Sequence, residues 1–247
     1  MSIKMVNVHR SFGEKEVLKG FSLEIQDGTT TTIIGGSGTG KSVALKHIVG
    51  LLRPDEGNIW VDDDNVSRLD QESVYRLRQR VGYVFQFAAL FDSMTIAENV
   101  ALGLRRMSDF PSEGIPDRVE ECLHLVDLDG YGERLPSQLS GGQRKRAGLA
   151  RAIATKPKYI LYDEPTTGLD PVTTAVIDEL IVRMSEELGV TGVVISHDMK
   201  SVFRISDRVA MLYDGAIREE GTPGQIQGSD DPIVRGFIEG RPELMEG

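Results

Sequence analysis

A glycine-rich stretch in the first fifth of the chain has the residue types and the spacing of a phosphate-binding loop. It matches the pattern G-x-x-x-x-G-K-[ST] with Gly35, Gly36, Ser37, Gly38, Thr39, Gly40, Lys41 and Ser42. Glycines let backbone N–H groups converge on phosphate oxygens, and a helix N-terminus adds positive potential. We expect Lys41 to bind the β- and γ-phosphates of a nucleotide and the Ser42 hydroxyl to bind Mg²⁺. A chance glycine turn is the alternative, but an apolar strand before the loop and a helix after it favour the nucleotide.

Two carboxylates end a second apolar strand, YILYDE. A carboxylate that leaves a buried strand beside a phosphate loop can hold Mg²⁺ through water, and this role is assigned to Asp163. Glu164 is then placed to polarise the attacking water as a general base. The alternative for Glu164 is an acidic cap or turn residue before Pro165. The phosphate loop upstream favours catalysis.

Two more polar side chains follow strands. His197 ends VVISH, and a parallel strand is expected to bring it to the same carboxyl edge as Asp163, where it would contact the γ-phosphate. Gln86 follows GYVF, and its amide could bind Mg²⁺ or the attacking water, although such a glutamine is more often a surface hydrogen-bonding residue. The other histidines, His9, His47 and His124, lack such a context and are interpreted as surface or core residues.

The segment LSGGQRKR, residues 139–146, resembles a second phosphate cradle about a hundred residues after the first. The alternative is a Gly-Gly helix start followed by a solvated basic face, which accounts better for Arg144–Arg146 than for Ser140–Gly142. Phe12 is a further candidate, because an aromatic ring can stack on a base. Core packing is an equally good explanation for Phe12 from the residues alone.

These side chains need a scaffold of alternating strands and helices. Strands are predicted at residues 29–34, 158–164, 191–196 and 208–213, and helices at 43–52 and 171–188. The second helix has Asp170 as its N-cap, Pro171 in its first position and Gly189 just past its end. Strand–helix alternation predicts an α/β fold with a mostly parallel sheet and helices on both faces.

The composition narrows the class of function. A net charge of −10 over 247 residues, without a basic stripe, argues against nucleic acid as a partner. The first ten residues lack the apolar core of a signal peptide, and no run of about 18 apolar residues is present. The single cysteine, Cys122, can form no internal disulfide. We therefore expect a cytosolic protein.

Taken together, these motifs resemble the ATP-binding cassette (ABC) ATPases over nearly the whole chain. The loop GGSGTGKS, the Gln86 loop, LSGGQ at 139–143, LYDEPTTGLD at 161–170 and SHD at 196–198 occur in the order of that family, and LSGGQ is its specific element. The resemblance implies one domain, residues 1–247, with the P-loop NTPase fold. It further implies an N-terminal antiparallel β subdomain, an inserted helical subdomain at about 87–153 and a C-terminal tail at about 222–247.

The resemblance also implies roles for individual residues in an ATPase with Mg²⁺. Two copies would pack head to tail, so that Ser140, Gly141, Gly142 and Gln143 bind ATP held by the partner. Phe12 would stack on adenine, and Val43, where many relatives have threonine, would complete the nucleotide loop. Gln86 would link Mg²⁺ to a groove for a membrane permease, which docks near residues 87–105. Asp170 would join the two ATP sites across the dimer.

A finer resemblance concerns the cargo. The run FAALFDSMTIAENVALGLR at 87–105 and the tail DDPIVRGFIEG at 230–240 are similar to the ATPases of MCE-linked phospholipid transporters. This implies an MCE-domain lipid-binding partner and a place on the cytoplasmic face of the inner membrane, held there through the permease. Two alternatives stay open: the cassette of an importer for a polar solute such as an amino acid, and a soluble ABC ATPase that acts on nucleic acid or ribosomes.

Overall fold

The computed structural model describes residues 2–107 and 110–244. Residues 108–109 of the predicted helical subdomain and 245–247 of the predicted tail lie outside the described residues. The chain divides into two compact units. The first contains the residues up to Tyr75 and those from Thr191 onward, and the second contains Arg76–Val190.

The strands of the described chain are, in order, β1 (Ser2–Phe12), β2 (Lys15–Gln26), β3 (Thr30–Ile34), β4 (Glu56–Val61), β5 (Asp64–Asn65), β6 (Val81–Val84), β7 (Tyr159–Asp163), β8 (Thr191–Ile195), β9 (Arg208–Tyr213) and β10 (Ala216–Gly221). The α-helices are α1 (Lys41–Ile48), α2 (Gln71–Gln79), α3 (Ile96–Ala101), α4 (Ile115–Leu125), α5 (Gly141–Ile153), α6 (Pro171–Leu188), α7 (Met199–Ile205), α8 (Pro223–Gln227) and α9 (Pro232–Glu239). Short 3₁₀ turns occupy Val66–Arg68, Leu104–Arg106, Ser112–Gly114, Pro136–Gln138 and Pro242–Leu244. Among the described residues, none of the helices combines the length and the apolar character that a membrane span requires.

An antiparallel sheet of order β2-β1-β4-β5 forms the N-terminal part of the first unit, as the resemblance implied. Successive side chains of β1 point to opposite faces of this sheet, so Ile3 and Met5 are buried on one face and Lys4 between them is exposed on the other. Ile3 pairs with Ile25 of β2 on one side and with Val61 of β4 on the other. These cross-strand apolar pairs hold the register of the sheet.

The first unit also holds four strands in the order β10-β9-β3-β8. The central strand β3 pairs in parallel with both β8 and β9, and all five of its residues are buried. A strand covered on both faces favours this β-branched composition. Strand β10 joins antiparallel to β9 at the edge, and the sequence did not predict it because its half-exposed residues AIREEG show no apolar alternation.

In the second unit β6 and β7 pair in parallel, with Val81 opposite Tyr159 and Tyr83 opposite Leu161. Helix α5 packs against β6 so closely that a Cβ at Gly82 would lie 2.6 Å from the Ala152 carbonyl oxygen. Helices α3, α4 and α5 contact one another within residues 96–153. The predicted range of helical structure, 87–153, falls inside this unit.

Two predicted helices compare differently with the structure. Helix α6 is confirmed at both ends, since Asp170 accepts hydrogen bonds from the N–H groups of Val172 and Thr173 and Gly189 closes the helix at φ 62°. The helix predicted over 43–52 is wrong at both ends, because α1 runs over Lys41–Ile48. It stops early since Gly50 adopts a left-handed φ of 61°.

Candidate functional site

The loop of residues 35–42 needs glycine where the backbone turns or packs closely. Gly35, Gly38 and Gly40 have φ values of 147°, 73° and 108°, which side-chain-bearing residues rarely adopt. A Cβ at Gly35 would lie 2.3 Å from the Leu212 carbonyl oxygen, whereas one at Gly38 would meet nothing within 4 Å. The loop is therefore packed at its base and open above Gly38.

Lys41 folds back over this loop. Its ammonium is buried and donates hydrogen bonds to the carbonyl oxygens of Gly35, at 2.8 Å, and Gly36, at 2.7 Å. Helix α1 begins at Lys41, and its N-cap residue, Gly40, makes no side-chain capping hydrogen bond. A buried cation beside the positive end of a helix dipole is suited to bind a phosphate group.

His197 and Phe12 belong to the same unit as this loop. Strands β3 and β8 are parallel neighbours with Ile33 opposite Ile195, so the residues that follow them, Gly35 and His197, lie at the same sheet edge. The His197 side chain is exposed there. Phe12 is 45% exposed at the end of β1, with the Arg10 guanidinium 4.8 Å from its ring centroid. This exposure removes core packing as the explanation for Phe12.

In the second unit Asp163 is oriented by a tyrosine. The Tyr83 hydroxyl donates a hydrogen bond of 3.0 Å to Asp163 Oδ2, because β6 and β7 run in parallel side by side. Burial and the Asp163 carboxylate both raise the pKa of Tyr83, so the phenol keeps its proton. One carboxylate oxygen of Asp163 therefore accepts a hydrogen bond from a hydroxyl that stays protonated.

Glu164 adopts a left-handed backbone conformation with φ 49° directly after β7. Such a conformation costs about 1–3 kcal/mol in a non-glycine residue and is concentrated at functional sites. Its Oε2 accepts hydrogen bonds from the Thr167 hydroxyl, at 2.8 Å, and from the Gln86 amide, at 3.1 Å. The structure thus brings together two of the predicted catalytic residues, Gln86 and Glu164, and adds Thr167 to them.

The segment Ser140–Gln143 forms the start of α5. Ser140 and Gln143 cap the helix reciprocally, and the Gln143 amide also donates to the Tyr131 hydroxyl at 3.0 Å. The helix begins at Gly141, because this capping satisfies N–H groups at its start. Ser140 and Gly141 are exposed, whereas Gly142 is buried.

Gly142 packs against the start of α6. A Cβ at Gly142 would lie 2.4 Å from Thr173 Cγ2. The Thr173 hydroxyl in turn donates to Asp170 Oδ2 at 2.6 Å, and this bond with two backbone N–H bonds lowers the pKa of the Asp170 carboxyl. Thr173 therefore connects the loop at 140–142 with the predicted coupling residue Asp170.

The predicted Mg²⁺ ligands offer a hydroxyl oxygen from Ser42, an amide oxygen from Gln86 and a carboxylate from Asp163. Hard cations such as Mg²⁺ prefer oxygen ligands, and Mg²⁺ is usually held by one or two carboxylates together with substrate phosphates. No group of three or more His, Cys, Asp or Glu side chains that could hold a metal occurs among residues 2–107 and 110–244. The donor set fits Mg²⁺ that arrives with a nucleotide.

Three residues of this region were not predicted from the sequence. Thr167 lies three residues after Glu164, a spacing at which a hydroxyl can reach back along a turn. Tyr83 could be found only from the pairing of β6 with β7. Lys145 lies in the run for which a solvated basic face was the alternative, and that alternative is wrong for Lys145, because its side chain is buried and donates to the Gln86 carbonyl oxygen.

Known proteins match this chain in sequence and fold. Residues 18–167 match the protein family described as ABC transporter. Methionine import ATP-binding protein MetN of Carboxydothermus hydrogenoformans is 46% identical over 218 residues, which make up 88% of this chain and 64% of MetN. Protein TRIGALACTOSYLDIACYLGLYCEROL 3, chloroplastic, of Arabidopsis thaliana is 40% identical over 255 residues, covering 96% of this chain and 73% of that protein.

Among solved structures, a dimeric post-hydrolysis state of the ATP-binding cassette MJ0796, bound to ADP and Pi, has a TM-score of 0.81 to this chain. It is 34% identical, and the match covers 90% of this chain and 98% of the other. By contrast, this chain spans less than two thirds of the length of MetN.

Proposed function

The chain belongs to the ABC transporter family and has the fold of its ATPase cassettes, and we propose that it binds and hydrolyses ATP to drive a membrane permease. The observation that carries this proposal is the loop at 35–42, which closes around the Lys41 ammonium and leads into a helix without a side-chain cap. The bound ADP and Pi of the MJ0796 cassette support it.

In this proposal the first unit holds the nucleotide. The backbone N–H groups of the loop and the Lys41 ammonium bind the β- and γ-phosphates, with the ammonium exchanging its carbonyl partners for phosphate oxygens. Phe12 stacks on adenine through the ring face that Arg10 leaves uncovered. His197, at the same sheet edge as Gly35, contacts the γ-phosphate.

The second unit supplies the groups for hydrolysis. Glu164 accepts a proton from the attacking water, and its carboxylate is held for this by Thr167 and Gln86. Asp163, oriented by Tyr83, is the acidic residue proposed to hold Mg²⁺. When bound, Mg²⁺ neutralises charge on the transferred phosphoryl group.

We further propose a homodimer in which the exposed Ser140 and Gly141 bind ATP of the partner copy. The dimeric state of the MJ0796 cassette supports this arrangement. The start of α5 places the positive end of its helix dipole at Ser140 and Gly141. Asp170 bonds Thr173, which packs against Gly142, so a displacement of Asp170 would be passed through these contacts to the loop at 140–142.

The permease is proposed to dock on the helical part of the second unit. A groove of about 690 Å³ opens there, lined among others by Thr95, Glu98, Arg105, Val119, Leu123 and Glu133. Beside α3, the loop after Gln86 exposes Phe87 by 83% and Phe91 by 52%. Asn99 holds this loop through hydrogen bonds with the backbone N–H and carbonyl of Phe91. Exposed aromatic side chains on a fixed backbone are typical of protein interfaces.

For the cargo we propose phospholipid, moved with an MCE-domain partner at the cytoplasmic face of the inner membrane. The segment at 87–105 supports this, as does a relative whose name is that of a galactolipid. The alternative is a polar-solute importer, which the name of the methionine import protein MetN supports. A soluble ABC ATPase that acts on nucleic acid or ribosomes is disfavoured by the net charge of −10.

The test uses Glu164→Gln, which is expected to bind ATP and hydrolyse it very slowly. The tagged variant is purified with ATP from its native membrane, and the subunits that accompany it are identified by mass spectrometry. A permease with an MCE-domain protein supports phospholipid transport, whereas a permease with a solute-binding protein supports the importer. Ribosomal or DNA-associated partners without a membrane protein contradict the transport function.

A further inference from the structure

One face of α5 holds the backbone that follows β6. Lys145, Gly148 and Arg151 are spaced by three residues and therefore lie on the same side of the helix. This side faces the segment from Gln86 to Ala89. The contacts join the helix that follows Ser140 to the segment that contains Phe87 of the proposed permease surface.

The Lys145 ammonium bridges two backbone carbonyls far apart in sequence. It donates to the carbonyl oxygen of Gln86 at 2.5 Å and to that of Glu164 at 3.4 Å, and only 7% of the residue is exposed. Burial lowers the pKa of Lys145, and the nearby Glu164 carboxylate opposes that shift. A charged donor in this position holds the backbone at Gln86 close to the backbone at Glu164. The side chains of the same two residues also form a hydrogen bond with each other.

Further along the same face, Arg151 holds the next turn of the segment. It donates to the carbonyl oxygens of Ala88, at 2.7 Å, and Ala89, at 2.6 Å. Both alanines adopt left-handed φ values, 59° and 49°. A Cβ at Gly148 would lie 3.3 Å from the Ala88 Cβ, so glycine allows the helix to approach this turn. The strained turn thus rests on α5.

We propose that Lys145 is a positioning residue for ATP hydrolysis, whose ammonium ties the Gln86 backbone to the Glu164 backbone so that displacement of residues 86–91 moves the Glu164 carboxylate. This inference rests on the proposed function, since it assumes that Glu164 activates water. The inference adds to the proposed function a series of contacts within one unit, which connects the segment at 86–91 to the general base Glu164. Lys145 itself touches no reacting atom.

The experiment compares Lys145→Met, Lys145→Arg and the matched control Lys156→Met, which makes the same change at an exposed lysine of the same unit. ATP hydrolysis is measured on the full chain with its co-purified membrane subunits, and ATP affinity by fluorescence of a labelled nucleotide. Lys145→Met is expected to lower kcat by about ten- to a hundredfold while KM and ATP affinity stay within about twofold. Lys145→Arg restores most of kcat, because a guanidinium can reach both carbonyls, and the control has the kcat of the wild type.

Hydrogen exchange gives a second readout that does not depend on activity. The Ala88 N–H bonds to the Phe85 carbonyl and the Thr167 N–H to the Glu164 carbonyl. Lys145→Met is expected to speed exchange at both amides together and to leave the segment at 35–42 unchanged. The proposal is overturned if exchange at either amide is unchanged or if kcat is unchanged. It is also overturned if Lys145→Met weakens ATP binding and reduces protection from exchange throughout the chain. Failure of the wild-type protein and its membrane subunits to hydrolyse ATP would instead overturn the proposed function, and wild-type hydrolysis by Glu164→Gln would overturn only the general-base role of Glu164.

Discussion

Replacing Gly142 by alanine tests whether this glycine is required by packing as well as by a ligand. The added Cβ would lie 2.4 Å from Thr173 Cγ2, about 1.1 Å inside the shortest ordinary carbon–carbon contact. Thr173 cannot turn away easily, since its side chain is β-branched and its hydroxyl is held by Asp170 at 2.6 Å. Overpacking of this kind costs about 1–3 kcal/mol.

Gly141→Ala is the matched control. Its Cβ would lie 3.9 Å from Leu169 Cδ2, an ordinary contact, and alanine favours a helix over glycine by up to about 1 kcal/mol. We therefore expect Gly141→Ala to leave the free energy of unfolding unchanged or to raise it, and Gly142→Ala to lower it by about 1–3 kcal/mol. Urea denaturation of the purified chain measures both changes.

A second change, at Thr173, tests whether the contact with its methyl group causes the loss of stability. Thr173→Ser removes the methyl group that the new Cβ would strike and keeps the hydroxyl that bonds Asp170. The double variant Gly142→Ala with Thr173→Ser is expected to recover most of the lost stability. A steric conflict with Thr173 is excluded if Gly142→Ala is no less stable than Gly141→Ala, or if Thr173→Ser brings no recovery.

Three further predictions concern the ATP site and its surroundings. Glu164→Gln is expected to lower kcat by about 10²–10⁴-fold at unchanged ATP affinity, and hydrolysis within tenfold of the wild-type rate would exclude Glu164 as the general base. Phe12→Ala is expected to weaken ATP binding by about 1–3 kcal/mol in a titration while Phe12→Tyr preserves it, and equal affinities for all three proteins would remove the stacking role. Hydrogen bonds from Thr173 lower the pKa of the Asp170 carboxyl from its ordinary value of 3.8 in the folded chain. The ionised carboxylate therefore stabilises the folded state fully above about pH 3.8, and this contribution is lost as the pH falls through the lowered pKa. The stability difference between wild type and Asp170→Asn should therefore be constant at neutral pH and shrink below about pH 3.8, and a difference independent of pH would contradict this.

Local sequence signals predicted the elements that carry the candidate site. Asp170, Pro171 and Gly189 set both ends of α6, because capping depends on residues next to one another in the chain. The buried, β-branched run in β3 was recognisable for the same reason. Strand β10 was not, since its partner β9 stabilises residues that lack a strand pattern of their own.

The residue types of the site were predictable, but some of their surroundings were not. Gly142 was predicted as a phosphate ligand, and the structure adds a close contact with Thr173 that also demands glycine. Lys145 stands between two arginines in the sequence, which favoured a solvated face, yet it is buried against the Gln86 and Glu164 carbonyls. A run of cations does not reveal which member the helix turns inward.

The sequence by itself determined the phosphate-loop pattern at 35–42, the family motifs and their order, and the acidic residues at the end of β7. Only the tertiary structure decided which of these side chains meet. Gln86 bonds Glu164 across 78 residues, and Tyr83 bonds Asp163 across 80. The physical reason is that the parallel register of β6 and β7 brings these residues together, and strand register depends on the packing of whole elements rather than on neighbours in the chain.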